Sequence, residues 1–403
     1  MNILHLSYSD LSGGAAVAAT RFHKALLKHG IKSEMWCVKK ISNEKSIIDV
    51  GSKKIKKLNS LKNLINQLFL KLLGIKDYKA VSLNIWYSGL TKKINKSSFD
   101  VIILHWINAE TISCNEISKI KKPIIWVFHD FWPINGIIHY PFNITSFSKQ
   151  PSFFLKQINK LMYNYKKRLW KNFNPQIVAV SKWLKECIEK SVIFENSDVC
   201  VIHNTINHSV FYPREKENID LFQKINFSKK IILFGAPDIN VKRKGSDLLL
   251  KALNDIPQNL KNEIQIVSFG MGKISLEDYS CLNLGLINNE ELLSKLYSVA
   301  DVMCVPSRQE TFGQTASEAI ACGTPVVAFN SSGLKDIIIH KVNGYLADCF
   351  SPEDFKNGIE WALSQDKSIS KICVTKSKEL FNEGNIVDKV VNLCDKVMAG
   401  GSK

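Results

Sequence analysis

Glu310 and Glu318 stand eight residues apart in SRQETFGQTASEAIACGTPVVAF, directly after the apolar run DVMCVPS. The run has the composition of a buried strand, and past Phe312-Gly313 a helical pattern begins near Gln314 or Thr315. In open α/β sheets ligands bind beyond the carboxyl ends of the strands. A helix start at such a place offers backbone N–H groups and a partial positive charge of about 0.5 to an anion. Gly313, lacking a Cβ, lets the backbone approach closely. Two carboxylates so placed can flank one ligand, accepting hydrogen bonds from sugar and ribose hydroxyls with a phosphate between them; the alternative is a solvated loop acid and an unrelated helix acid.

That geometry needs a parallel sheet covered by helices on both faces. The second half of the chain supplies KKIILFGAP (229–237), EIQIVSFG (263–270), DVMCVPS (301–307) and TPVVAFN (324–330), spaced by helical segments such as SDLLLKALNDI and NEELLSKLYSVA. The first half supplies NILHLSYS, SEMWCVKK, VIILHWI (101–107), PIIWVFHD (123–130) and QIVAVS (176–181). Near-continuous apolar runs of this kind mark strands buried on both faces. A length of 403 residues suits two domains of about 200 each. The expectation is therefore an α/β protein of two Rossmann-like, doubly wound domains over 1–205 and 206–385, with the seam near the polar stretch 203–217. Ile386, Val390, Leu393, Cys394 and Val397 predict one more amphipathic helix, over 386–403, packing back toward the first domain.

The composition narrows the function classes. Hydrophobic residues at 45% and charged residues at 23% place the chain among globular proteins. MNILHLSYSD reads as a buried strand rather than a signal peptide, and no apolar stretch reaches the ~18 residues of a spanning helix. The 10 cysteines stand singly, without a C-x-x-C pair, so neither a zinc site nor a disulfide framework is expected. That pattern fits a reducing cytoplasm. The net charge of +17 is one-sided: residues 1–210 hold 31 Lys and Arg against 13 acids, the remainder 23 against 24. A basic first half seeks polyanions, whether anionic lipid, phosphorylated substrate or nucleic acid. No zinc-finger, RRM or helix-turn-helix signature accompanies it, so sequence-specific nucleic-acid binding is not expected.

IKKLNSLKNLINQLFLKLLGIK (55–76) breaks the α/β rhythm. Ile55, Leu58, Leu61, Ile65, Leu68, Phe69 and Leu72 share one helical face, and Lys54, Lys57, Lys62 and Lys71 largely occupy the rest. Such a helix either packs on the first domain's sheet or lies in a membrane surface.

The stretch from Glu310 to the G-T-P-V-V strand resembles the E-x7-E region of glycosyltransferase family 4, the glycosyl transferases group 1 proteins. The resemblance implies the GT-B fold, two Rossmann-like domains facing across a cleft. It assigns the donor sugar to Glu310, the ribose to Glu318, and the phosphates to the backbone between, at Phe312, Gly313, Gln314 and Thr315. GAPDINVKRKGSDLLLKAL (235–253) resembles the family's first donor-domain strand and loop, which places Lys244 on the donor diphosphate with Arg243 assisting. Ala236 stands where the family often has a second basic residue. SDLSGGAAVAATRFHKAL (9–26) resembles the glycine-rich loop, with Gly13 and Gly14 toward the donor. His129-Asp130-Phe131-Trp132-Pro133 resembles the H-D-x-W-P hallmark of a bacterial surface-polysaccharide subgroup. It implies that His129 lies beside the reacting carbon and puts Asp130 and Trp132 on the acceptor side, although Ile138 replaces the subgroup's cysteine. VIHNTINHSVFYP (201–213) resembles the interdomain motif, with Asn204 toward the acceptor.

What these resemblances imply is a retaining glycosyltransferase. It would use a UDP- or GDP-sugar, no cofactor and no metal, and an acceptor hydroxyl on a glycan, lipid-linked, in O-antigen, capsule or exopolysaccharide synthesis. Glu310, His129 and Lys244 are the expected catalytic residues. The expected location is the cytoplasm, at the anionic inner face of the cell membrane. Another GT-B sugar-nucleotide enzyme, such as an epimerase, and a basic nucleic-acid-binding protein are the competing readings.

Overall fold

The computed structural model describes residues 1–51, 53–72, 81–140, 152–215 and 224–400. They fall into two compact units, Met1–Thr205 with Glu383–Lys403, and Ile206–Asn382.

The first unit is built on strands β1 (Asn2–Ser9), β2 (Lys32–Lys39), β3 (Ile47–Asp49), β4 (Val101–Leu104), β5 (Ile124–Phe128), β6 (Gln176–Ala179) and β7 (Val199–Val201). Their spatial order is β3-β2-β1-β4-β5-β6-β7, and every pairing is parallel. Every residue of β4, β5 and β6 is buried. Helices cover both faces of such a sheet, so these strands read as apolar runs rather than alternations. The strand order reverses between β1 and β4, which makes their carboxyl ends the unit's switch point.

The second unit repeats the scheme with β8 (Lys230–Asp238), β9 (Ile264–Met271), β10 (Ser280–Asn283), β11 (Val302–Val305), β12 (Val326–Phe329) and β13 (Gly344–Ala347). They are ordered β10-β9-β8-β11-β12-β13, again all parallel. Its switch point lies between β8 and β11. The core beneath includes Ile232, Leu249, Ile266, Phe329 and Phe355, side chains whose burial contributes about 1.5–3 kcal/mol each.

The last helix, Glu383–Gly400, belongs to the first unit. It buries Ile386, Val387, Val390, Leu393 and Cys394. Lys28–Glu383 at 2.8 Å and Lys396–Asp198 at 2.5 Å add ion pairs. Exposed pairs of that kind contribute about 0–1 kcal/mol, so the apolar stripe does most of the anchoring.

The basic helix, Lys53–Leu72, is not packed as a sheet-covering helix would be. Leu58, Leu61, Ile65, Leu68, Phe69 and Leu72, the face that would serve a core, are exposed. The inward side is Lys62, Asn66 and Leu70. A buried acid explains the inversion. The Glu110 carboxylate accepts hydrogen bonds from Asn66 Nδ2 (2.8 Å) and from the N–H groups of Asn84 (2.8 Å) and Trp86 (3.0 Å). Lys62 Nζ donates to the Tyr87 carbonyl at 2.8 Å. Unmet buried groups of this kind are expensive, so the helix turns its polar side inward to meet them. The Ile55 side chain and residues 73–76 lie outside the described residues.

Candidate active site

In the second unit, β8 and β11 deliver two loops to the switch point. Gly245 joins them most closely: its φ is 72°, and a Cβ there would stand 1.9 Å from the Pro306 carbonyl oxygen. Arg308 then ties the loops together. Its N–H donates to the Arg243 carbonyl (2.8 Å), and its guanidinium spans both Asp247 oxygens at 2.7 Å while donating to the Lys242 carbonyl. A bidentate fork of this kind fixes geometry as well as charge.

So held, Lys244, Arg243 and Glu310 converge. Lys244 Nζ lies 2.5 Å from Glu310 Oε1, and Arg243 Nη1 lies 3.4 Å from Oε2 and 2.7 Å from the Gln309 carbonyl. Ser307 Oγ donates to Oε1 at 2.9 Å. Ser332 Oγ accepts the Glu310 N–H, and the Glu310 carbonyl accepts the Gly333 N–H. Burial alone would raise the Glu310 carboxyl, but the two cations and Ser307 overcome it and hold the acid down at about 2. Burial pulls Lys244 below the ordinary lysine range, against the pull of Glu310. The result is an ionised carboxylate and a desolvated cation on one loop pair.

Three residues further on, Gly313 (φ 116°) caps the helix Gln314–Ala321. Gly313 brings no side chain to that cap, and Gln314 and Thr315 in the first turn are half-buried. Phe312 points inward onto Phe381, ring centroids 5.6 Å apart, so its contribution to a ligand is its backbone. Glu318 is buried one turn in and accepts a hydrogen bond from Tyr297 Oη at 2.9 Å. Arg308, Ser307, Ser332 and Asp247 were not singled out from the sequence. Only the place of Ser307 and Arg308 in the loop before Glu310 could have pointed to them. Ser332 and Asp247 reach the site through the fold.

The switch point of the first unit has different chemistry. His105 follows β4 and His129 follows β5, and the two rings meet edge to edge, centroids 5.4 Å apart, with His105 Nδ1 3.1 Å from His129 Nε2. His105 Nε2 in turn lies 2.8 Å from Nδ1 of His5, inside β1. Burial holds all three imidazoles below the usual histidine range, His129 at about 4 although Asp130 pulls it upward. Each is therefore neutral at physiological pH. His5 and His105 were not anticipated; a histidine within an apolar strand carries no local signal of its partners.

Asp130 organises the loop after β5. It lies 2.5 Å from His139 Nδ1 and accepts from Trp106 Nε1 (2.8 Å) and the Trp132 N–H (2.9 Å). The Trp132 indole is buried, donates to the Ser82 carbonyl and lies under Lys166 Nζ at 3.5 Å. Both residues thus shape the pocket that His105, Asn108 and His129 also line. Gly13, with φ 92°, caps the helix Gly14–Lys28 just past β1. Asn204 is buried, and its Oδ1 has no hydrogen-bond partner among the described residues.

Residues 12–210 match the model of Glycosyltransferase Family 4, and residues 217–379 match that of Glycosyl transferases group 1. Among curated relatives, an uncharacterized glycosyltransferase of Methanocaldococcus jannaschii is 34% identical over 54% of this chain and 59% of its own length. A D-inositol 3-phosphate glycosyltransferase of Xylanimonas cellulosilytica is 34% identical over 30% of this chain and 32% of its own. The chain thus spans about half the length, or less, of these relatives. Solved structures align along almost the whole chain. Sucrose-phosphate synthase from Thermosynechococcus elongatus superposes with a TM-score of 0.71 at 17% identity, over 99% of this chain and 100% of that one. Anabaena HepE in complex with UDP-glucose gives 0.65 at 15%, over 98% and 100%.

Proposed function

The chain belongs to glycosyltransferase family 4 and has the GT-B fold, and from that premise we propose that it transfers a sugar from a nucleotide-sugar to a hydroxyl of a glycan acceptor. The observation that carries the reading is the convergence of Lys244, Arg243 and Glu310 beside the Gly313-capped helix start. When the bond from the anomeric carbon to the diphosphate breaks, negative charge grows on the departing oxygen. Fixed cations and backbone N–H groups aimed there stabilise the transition state more than the ground state. In this reading Lys244 releases Glu310 to bind the diphosphate, and Arg243 supports it. These cations supply the charge that a divalent metal would otherwise bring, so no metal is invoked. Glu310, held ionised, accepts hydrogen bonds from the donor sugar, and Glu318 from the ribose. Solved chains of this fold hold UDP and UDP-glucose, which supports a nucleotide-sugar donor.

In the first unit we assign the transferred sugar to His129 and the acceptor side to the Asp130–Trp132 loop and Asn204, with Gly13 and Gly14 serving the donor. Retention at the anomeric carbon rests on the family alone. The excess of lysine in residues 1–210 supports an acceptor carried by a lipid at an anionic membrane surface, in the assembly of a bacterial surface polysaccharide. A lipopolysaccharide glycosyltransferase, WaaG, shares the fold at 16% identity.

A panel of UDP- and GDP-sugars scored by thermal shift tests the donor, because a ligand that binds only the native state raises its stability. About 2.7 kcal/mol of stabilisation is expected at a concentration one hundred times Kd. No shift with any nucleotide or nucleotide-sugar would overturn the reading. Conversion of the donor to an isomeric nucleotide-sugar, rather than transfer, would replace it with an epimerase.

A further inference from the structure

Two helices of the first unit turn apolar side chains to water. On Lys53–Leu72 these are Leu58, Leu61, Leu64, Ile65, Leu68, Phe69 and Leu72, the last 87% exposed. On Phe153–Leu169 they are Phe153, Phe154, Leu161 and Tyr165, with Phe153 at 68% and Leu161 at 66%. Leu70 of the first helix and Leu155 and Met162 of the second share one small buried cluster, so the two faces rise from the same patch of the unit. A soluble monomer seldom exposes so many large apolar groups together. The first helix is the clearer case, because Lys62 and Asn66 stand on its inward side with Leu70 while seven large apolar side chains face outward.

The charges on these helices select the occupant. Lys53–Leu72 carries six lysines, of which Lys62 is turned inward, and Phe153–Leu169 four lysines and an arginine, of which Lys166 is buried; neither helix contains an acid. A second copy of this chain would bring two such basic faces together and repel. A nucleic acid would suit the charge and leave the leucines and phenylalanines without an apolar environment. A bilayer with anionic headgroups meets both needs, taking the side chains into the acyl boundary and the cations at the phosphates. Among the described residues no helix is long and apolar enough to cross a membrane, so the contact is interfacial.

We propose that Lys53–Leu72 and Phe153–Leu169 together form a docking face for an anionic lipid surface, inserted through Leu61, Leu64, Leu68, Phe154 and Leu161. This deepens the lipid-linked acceptor reading above by naming the surface. The vesicle measurement needs no sugar transfer, so its failure leaves that reading standing on its own test.

The experiment is co-sedimentation of the full chain with vesicles of phosphatidylcholine alone and of phosphatidylcholine mixed with phosphatidylglycerol. The wild type is expected to partition onto the mixed vesicles and much less onto the neutral ones. Leu64→Gln and Leu68→Gln, at positions already in water, should leave the thermal unfolding temperature unchanged and weaken partitioning by about tenfold each. Lys57→Glu and Lys160→Glu should weaken it by at least about fivefold each. Absence of binding at low salt would overturn the proposal. So would binding that the leucine variants leave intact, equal binding to neutral vesicles, or a dimer that the leucine variants dissociate.

Discussion

The two units place their candidate residues at topologically equivalent positions, yet fill them with opposite chemistry. Between β8 and β11 stand Lys244, Arg243 and Glu310, all charged, with both cations paired to the one carboxylate. Between β1 and β4, and on to β5, stand His5, His105 and His129, hydrogen-bonded in a row and neutral. The first arrangement suits a ligand whose charge changes, such as a diphosphate that departs. The second suits one that is polar and uncharged, such as a sugar hydroxyl. One scaffold thus carries two kinds of site chemistry, set by which residues end the strands and not by the sheet itself.

The difference should first be visible in acid. Burial lowers four histidines of the first unit: His5, His105, His129 and His23, the last two to about 4. Their unfolded value is near 6.5, so between about pH 6.5 and 4 the unfolded chain binds more protons than the folded one. Stability therefore falls as pH falls through that window, by up to about 1.4 kcal/mol per pH unit for each histidine. Glu110, raised by burial, works the other way, one group against four. Glu310 is depressed to about 2. The stability it confers is complete above about 4.5 and is lost only as pH falls toward 2. The first unit should unfold at higher pH than the second. Seven of the eight tryptophans lie in the first unit and only Trp361 in the second. In urea titrations, tryptophan fluorescence should thus lose midpoint between pH 6.5 and 4 while UDP binding to the second unit persists. Equal acid sensitivity of both signals would erase the contrast.

Substitution at the charged site should give the next largest effect. Lys244→Ala removes the cation 2.5 Å from Glu310 and leaves only Arg243 at 3.4 Å. A buried charge stripped of its partner destabilises by about 3 kcal/mol. The Lys244→Ala/Glu310→Ala double variant should recover much of that loss and regain no activity. Turnover in the single variant should drop by two to three orders of magnitude, roughly 3–4 kcal/mol on the barrier. If the double variant is less stable than Lys244→Ala, the pair is not the coupled unit described above.

The charged site was largely legible in the sequence, because its signals are local. Strand, loop acid, glycine and helix start follow one another between Val302 and Ala321, and the backbone chemistry of each is fixed by near neighbours. The Lys244-Gly245 pair is equally local, since Gly245 is demanded by the close approach of Pro306. The histidine chain was not legible. His5, His105 and His129 come from β1 and from the residues after β4 and β5, 100 and 24 positions apart, and only the register of a parallel sheet brings them together. The orientation of Lys53–Leu72 was hidden for a related reason. Its apolar stripe fits a core as well as a membrane, and what turns it outward is Glu110, a buried acid 44 residues from Asn66.

The smallest predicted effect concerns how that histidine chain acts. Each contact between neutral imidazoles needs one N–H and one lone pair, so the three rings must all donate in the same direction. His5 Nε2 closes the inner end, buried and without a hydrogen-bond partner among the described residues. A stranded N–H is the rarer defect, which favours the lone pair there. His5 Nδ1–H then donates to His105, and His105 Nδ1–H donates to His129 Nε2. His129 is left with its proton on Nδ1, the donor form. Two-bond 15N–1H correlation spectra of histidine-labelled protein should show that tautomer for His129. His105→Leu should mix the tautomers and lower turnover by about tenfold, the equivalent of one buried hydrogen bond near 1.4 kcal/mol. In His105→Asn the amide stands where Nδ1 was, so both the tautomer and most of the rate should return. A purely structural His105 would lose stability in both variants alike and leave the His129 tautomer as it was.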